Sequence, residues 1–291
     1  MLLHPLPWPG GKRLAAAITF DVDADSLIRT ARPDDGHLRL APVSMGRYGP
    51  TVAVPRILET YRRLGLTQTF FIPGWVMETY PAAVEAILKD GHEIGHHSWR
   101  HEDPMGHSDA REAELFHRAL ETHVRMTGRK PRGYRAPVYN ATPGVIGRLI
   151  AEGFLYDSSL MADEMPYLLR APQGELIELP PHWGADDWPP FAHFEEIGYL
   201  MPVRAPSDGL RAFFEEYEAA RAVGGFWMPV LHPFLTGRLA RWAAMEAWLE
   251  AVLERGEAWF APLEEIARHA AAHRDKLRTD DIGFPEQGPE R

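Results

Sequence analysis

Short apolar runs alternate along this chain with stretches whose apolar positions recur at helical spacing, and the alternation continues almost to the C-terminus. The first run, Arg13 to Phe20 (RLAAAITF), follows a Pro/Gly turn, and its β-branched end predicts a buried strand. It closes on Asp21, Asp23 and Asp25. Val54 to Leu64 is amphipathic, with Pro55 near its start and Gly65 at its stop, and predicts a helix. Gln68 to Ile72 is a second strand, Tyr80 to Lys89 a helix behind Pro81, and His92 to Gly95 a third strand opened by Gly91. The rhythm then repeats. Helices are predicted over Asp109 to Thr127, Pro143 to Glu152, Asp208 to Ala222, Arg241 to Arg255 and Leu263 to His273. Strands are predicted at Gly133 to Pro137, Phe154 to Ser159, Gly225 to Leu231 and Trp259 to Phe260.

Three stretches break the rhythm. Ser26 to Thr51 lacks periodicity, and a loop of that length is uncommon unless it serves function. Glu175 to Leu200, rich in Pro and Trp, predicts an irregular aromatic wall. Lys276 to Arg291 is polar and predicts a disordered tail or an oligomerisation arm.

Strands alternating with helices predict an α/β fold, a parallel sheet or a (β/α) barrel, with chemistry at the strand C-termini. No internal repeat and no low-complexity linker interrupts it. The economical reading is one domain over residues 1–275 and a tail over 276–291.

Composition narrows the function classes. A chain of 291 residues with a formal net charge of -10 is a poor partner for nucleic acid. It has no apolar run long enough to span a bilayer, and its N-terminus (MLLHPLPWPGGKR) lacks the basic and apolar regions of a signal peptide. A cytoplasmic protein with no membrane partner is therefore the expectation. The cysteine count is 0, so any metal must be held by imidazole and carboxylate.

The densest chemistry lies in His92 to Pro104 (HEIGHHSWRHEDP). His97 and His101, spaced i and i+4, would share one face of a helical turn and can bind one divalent ion, with a third ligand from elsewhere. A solvated His-rich loop is the alternative. At the end of the first strand, Asp21 and Asp23 point the same way and can reach one site, unless they only cap the following turn. Asp21 and Asp23, His97 and His101, Arg135, and His232 each follow a separate predicted strand, where a barrel places its active site.

Taken in order, these pieces resemble the NodB-type polysaccharide deacetylases, carbohydrate esterase family 4, over most of residues 13 to 265. Thr19-Phe-Asp21-Val-Asp23 resembles the first family motif, with a residue inserted between the acids and the glycine lost. His97-Ser-Trp-Arg-His101 is similar to the second, Arg135-Ala-Pro137 to the third, Asp187-Trp188 to the weaker fourth, and Leu231-His232-Pro233 to the fifth. The Thr-Phe-Asp-Val-Asp form and the Asp-Asp-Trp-Pro segment resemble an intracellular branch. It includes peptidoglycan deacetylase-like proteins of the Helicobacter type, cyclic imide hydrolases and allantoinase-like enzymes.

The resemblance implies a distorted barrel of about seven strands and a metal-dependent hydrolase of non-peptide C–N bonds. The metal, for which zinc suits two imidazoles and a carboxylate, would be held by Asp23, His97 and His101. Asp21 would be the general base, oriented by a bidentate Arg135, and His232 the general acid, oriented by Asp187. The backbone N–H of Val138 matches the family's oxyanion donor, although Tyr139 stands where the family usually has glycine. Tyr48, Trp183 and Trp188 are the candidate substrate contacts, with the Ser26 to Thr51 loop as a lid. The substrate would be a small amide or imide, or an N-acetylated saccharide, and a homo-oligomer is allowed. A catalytically silent carbohydrate-binding or assembly protein on the same fold is the alternative.

Overall fold

The computed structural model describes residues 4–282. Its strands are β1 (Leu14–Ala16), β2 (Thr19–Asp21), β3 (Thr69–Ile72), β4 (Glu93–His96), β5 (Gly133–Tyr134), β6 (Tyr156–Asp157), β7 (Tyr167–Ala171), β8 (Gly174–Glu178), β9 (Phe226–Trp227), β10 (Val230–Leu231), β11 (Ala258–Phe260) and β12 (Thr279–Asp281). The larger sheet runs β10-β2-β3-β4-β5-β6-β8-β7-β12, and the smaller one β11-β1-β9. Among the described residues, every pairing between these strands is parallel except that of β7 with β8.

The expected strands exist, but two of them are broken. The first run divides into β1 and β2, and the run from Gly225 divides into β9 and β10 at Met228-Pro229. Hydrogen bonds from Ala17 N to Trp227 O (3.0 Å) and from Thr19 N to Pro229 O (3.1 Å) bridge the break, so the two sheets form one curved wall. Beyond β8 the chain returns to β10 through an Asp186–Val230 bridge. The result is the distorted α/β barrel.

Alternation sorts the side chains. Ile18 and Phe20 face outward with Phe70, whose ring stacks on Phe20 at 5.1 Å beneath Tyr61 and Trp242. Ala17 and Phe71 face inward with Tyr156 and Met228. The interior is tight enough to demand glycine twice. A Cβ at Gly95 would lie 2.5 Å from the Phe71 ring, and one at Gly133 would lie 1.8 Å from Tyr156. Outside, the helix Val54–Leu64 buries Val54, Ile57, Leu58 and Tyr61, the i, i+3, i+4, i+7 stripe, and ends on left-handed Gly65. The Asp109–Thr127 helix starts where the Ser108 hydroxyl accepts the Arg111 N–H.

Three expectations change. Residues 26–51 are not a long loop: they contain the helices Ser26–Ala31 and Leu40–Tyr48, with a helical turn at Gly49–Ala53. Tertiary packing makes them fold, because Gly46 sits directly on the backbone of Ala24, where a Cβ would come within 2.5 Å. The wall beginning at Glu175 starts inside an antiparallel hairpin, β7–β8, that was absent from the expected elements; Gly174, with φ 139°, opens β8. The polar tail also supplies β12, which pairs with β7 in parallel at Thr279–Leu168. The rest of that segment, from residue 283, lies outside the described residues.

Candidate active site

The strand C-termini bring Asp21, Asp23, His97, His101, Arg135, Val138, Asp187 and His232 to one place, at the floor and rim of a cavity of about 450 Å³. Its walls are Leu27, Tyr139, Trp183, Trp188, Ile197 and Tyr199. That volume is in the range of small-molecule sites.

Asp23, His97 and His101 turn one ligand atom each toward a common point, all within 4.8 Å of one another. His97 Nε2 lies 3.3 Å from Asp23 Oδ1, and His101 Nε2 lies 3.6 Å from Asp23 Oδ2. His97 Nδ1 donates to Arg135 O at 2.7 Å, which leaves the Nε2 lone pair facing the site. Both Asp23 oxygens and His97 Nε2 are buried without a hydrogen-bond partner. Buried acceptors that face one another need a cation or a proton between them. The donor set of two imidazoles and a carboxylate, with room in the adjoining cavity for further ligands, fits a divalent ion. Burial alone would raise the Asp23 carboxyl, but His101, His97 and His232 hold it well below the ordinary carboxylate range.

The local backbone differs from expectation. His97 to His101 is a non-helical turn in which Ser98 (φ 59°) and His101 (φ 62°) are left-handed. The buried Glu102 carboxylate supports it by accepting from Arg100 N (2.6 Å) and Ser98 Oγ (3.3 Å). The two imidazoles converge, with ring centres 5.2 Å apart, although no helix holds them.

Arg135 is fully buried and reaches Asp21 through one bond, Nη1 to Oδ1 at 2.8 Å. The expected bidentate fork does not form, because Nη1 also donates to Thr19 Oγ1 while Nε and Nη2 donate to Ser158. The guanidinium is thus fixed by two strands and by the Phe71 ring beneath it. Opposite, His232 Nδ1 contacts Asp187 Oδ1 at 2.6 Å, and Asp187 Oδ2 accepts from the His232 and Thr236 amides. Burial disfavours the imidazolium, yet Asp187, Asp23 and Asp186 push His232 up to about 10. Its Nε2 lies 3.5 Å from Asp23 Oδ2, so the ring borders the same point as the metal-type ligands.

Trp183 and Trp188 line the cavity, as expected; Tyr48 does not. Its hydroxyl accepts from Arg56 Nη1, and Arg238 covers its ring, so the helix that carries it turns it toward Gly237 instead. Asp186 was missed, and Tyr139 was read only as a departure from the family's glycine. Tyr139 and Asp186 both line the cavity and are hydrogen-bonded to each other. Burial and the neighbouring Asp187 push Asp186 up to about 6, against the pull of His232. The doubled acid Asp186-Asp187 was the available signal, and the fold gathers both carboxylates with His232, one ligand atom each within 4.8 Å of one another.

A second buried acid cluster stands on β6 and β8. Asp157 and Glu178, both 0% exposed, each keep one oxygen without a partner. Their other oxygens accept from Ser159 Oγ, and from the Ser159 and Leu160 amides. Burial raises both, Asp157 to about 6 and Glu178 well above the ordinary range, where Asp157 adds to the effect.

Comparison with known proteins gives concordant results. Residues 47–149 match the family model described as polysaccharide deacetylase. A peptidoglycan deacetylase of Helicobacter pylori is 27% identical over 225 residues, covering 69% of this chain and 77% of that protein. A solved structure from Mycobacterium smegmatis, described as a polysaccharide deacetylase, superposes with a TM-score of 0.92 at 35% identity, over 98% of this chain and 99% of that one. The structure of Puue allantoinase superposes with a TM-score of 0.80 at 23% identity, over 93% of this chain and 95% of that one, a likeness of fold.

Proposed function

The chain belongs to the polysaccharide deacetylase family, and from that premise we propose that it is a metal-dependent hydrolase of a non-peptide C–N bond, acting on an N-acetylated saccharide or a small cyclic amide or imide. One observation carries the reading: unpartnered ligand atoms of Asp23 and His97, grouped with His101, between the Asp21–Arg135 and His232–Asp187 pairs. A divalent ion, zinc by the chemistry of the donors, would be held by Asp23, His97 and His101, and when bound it supplies Lewis-acid polarisation of the amide and an acidified water.

The protein's own groups then divide the proton work. Asp21, kept in place by Arg135, takes the proton from the attacking water. Its hydrogen bond to a buried guanidinium orients the carboxylate without consuming both oxygens. His232 holds a proton on the opposite side of Asp23 and gives it to the departing nitrogen. Asp187 keeps that imidazole oriented and charged. The Val138 N–H, on the exposed rim of the Arg135-Ala136-Pro137 turn, is the donor for the oxyanion.

The cavity supports a substrate that inserts one amide-bearing unit, with Trp183 and Trp188 as platforms for a sugar face or a planar ring. The test is to give the zinc-loaded protein a chitooligosaccharide, followed by acetate release, and a cyclic imide, followed by ring opening. Turnover of either supports the reading and selects the substrate class. Stoichiometric zinc with no hydrolysis of either would sink it in favour of a binding or assembly role.

A further inference from the structure

The turn that follows Arg135 carries an unusual backbone. Val138 (φ 49°, ψ 21°) and Tyr139 (φ 62°) are both left-handed, and neither is glycine. A β-branched residue there is a genuine outlier, and such strain persists only where the surroundings over-determine it. The surroundings can be named. Ser159 Oγ accepts the Ala136 N–H at 2.9 Å before the turn, and the Asn140 side chain donates to Asp103 Oδ2 at 3.0 Å after it. Between these anchors the Tyr139 hydroxyl donates to Asp186 Oδ2 and its ring meets Trp183 edge-on at 4.9 Å.

Asp186 is itself held from several sides. It is 2% exposed, its Oδ1 accepts the Trp188 N–H at 2.7 Å, and its backbone bridges to Val230 in β10. Its neighbour Asp187 holds His232. One dipeptide therefore grips both the turn that carries Val138 and the proposed acid.

Resting on the hydrolase reading above, we propose that the Tyr139–Asp186 hydrogen bond is the tether that keeps the Val138–Tyr139 turn left-handed and so aims the Val138 N–H at the reacting carbonyl oxygen. Tyr139 and Asp186 are positioning residues. The tether compensates for a side chain at a position where glycine would need none. Removing only the hydroxyl leaves the strain at 138 and 139 without its compensation, whereas glycine at 139 removes that residue's share of the strain together with the tether.

The experiment compares wild type with Tyr139→Phe, Asp186→Asn, the double variant and Tyr139→Gly, all zinc-loaded and with metal content measured. Tyr139→Phe is expected to lower kcat by about 10- to 100-fold with KM changed less than about threefold, because donor alignment acts in the transition state. The double variant should lose no more than the worse single one, since the pair acts as a unit. Tyr139→Gly should retain more kcat than Tyr139→Phe. Acetate binding, read from the linewidth of its methyl signal, reports on the turn without turnover, and should weaken in Tyr139→Phe with unchanged zinc. Wild-type kcat and acetate binding in Tyr139→Phe would overturn the tether, as would fully additive losses or a Tyr139→Gly variant slower than Tyr139→Phe. Weaker acetate binding in Tyr139→Phe, with neither substrate hydrolysed by wild type, would reject the hydrolase reading and leave the tether standing.

Discussion

Two groups of buried carboxylates stand at the ends of strands, Asp23 beyond β2 and Asp157 and Glu178 on β6 and β8, and they solve the cost of burial in opposite ways. Asp23 faces the imidazoles of His97, His101 and His232, with no hydroxyl or amide donor on either oxygen. Asp157 and Glu178 face each other inside a ring of donors from Ser159 and Leu160. An unpartnered charge in a low-dielectric interior must find a counter-charge or lose its own. The first group is built for a cation, because His97 and His101 turn ring nitrogens toward the point that Asp23 faces. The second is built for a proton, shared between two acids that cannot both ionise at close range. Similar residue types thus become a candidate reaction centre in one case and a supporting strut in the other.

The contrast breaks most severely at the first group. His97→Ala should lose bound zinc and lower activity by at least about 1,000-fold, read by metal analysis alongside hydrolysis. Asp21→Asn should separate the two properties, keeping zinc while kcat falls by about 100- to 10,000-fold. Loss of zinc in that variant would move Asp21 from base to ligand. His232→Asn should slow amide hydrolysis by about 100-fold or more, and an activated ester much less, because a good leaving group needs no proton. Equal losses on both substrates would remove His232 from the role of acid.

The second group should respond to pH instead of metal. Burial raises both in the folded state, Asp157 from the ordinary 3.8 to about 6 and Glu178 well above the ordinary 4.5. Between the ordinary and raised values the folded chain binds more protons than the unfolded one, so this pair's contribution to stability falls as pH rises through that window. Glu178→Gln keeps an acceptor for the Ser159 and Leu160 amides and gives Asp157 a permanent donor. It should stabilise the protein by about 1 kcal/mol near pH 8 and less near pH 5, in urea melts. A gain that does not vary with pH would mean that the pair does not share a proton. Smallest of all, Tyr48→Phe should leave kcat and KM unchanged, because that hydroxyl meets Arg56 and Gly237 outside the cavity.

Much of the architecture was legible from periodicity, since β/α alternation is a local property of the chain. The hairpin β7–β8 was not: Tyr167 to Ala171 reads as apolar without clear alternation, because it is buried on both faces except at Arg170. Residues 26–51 lack an apolar stripe: the Ser26–Ala31 helix packs on the Leu40–Tyr48 helix and the turn Glu195–Ile197, and Leu40–Tyr48 packs on the turn at Gly49–Ala53 and the segment after His232. The site shows the same division. Asp187 was legible beside Trp188, whereas Asp186 gains its role only because the Tyr139 turn is folded against it.

Residue type and order by themselves determine that this chain is an α/β protein whose acids and imidazoles follow separate strands, because strand alternation and helix stops are written within a few residues of each position. Only the tertiary structure decides which lone pairs remain unpartnered. That property depends on where every other donor in the molecule ends. His97 is committed to Arg135 O at 2.7 Å through Nδ1, and Arg135 is divided among Asp21, Thr19 and Ser158 instead of forming a fork with one carboxylate. Those choices are made across gaps of 23 to 116 residues, beyond the reach of any local pattern.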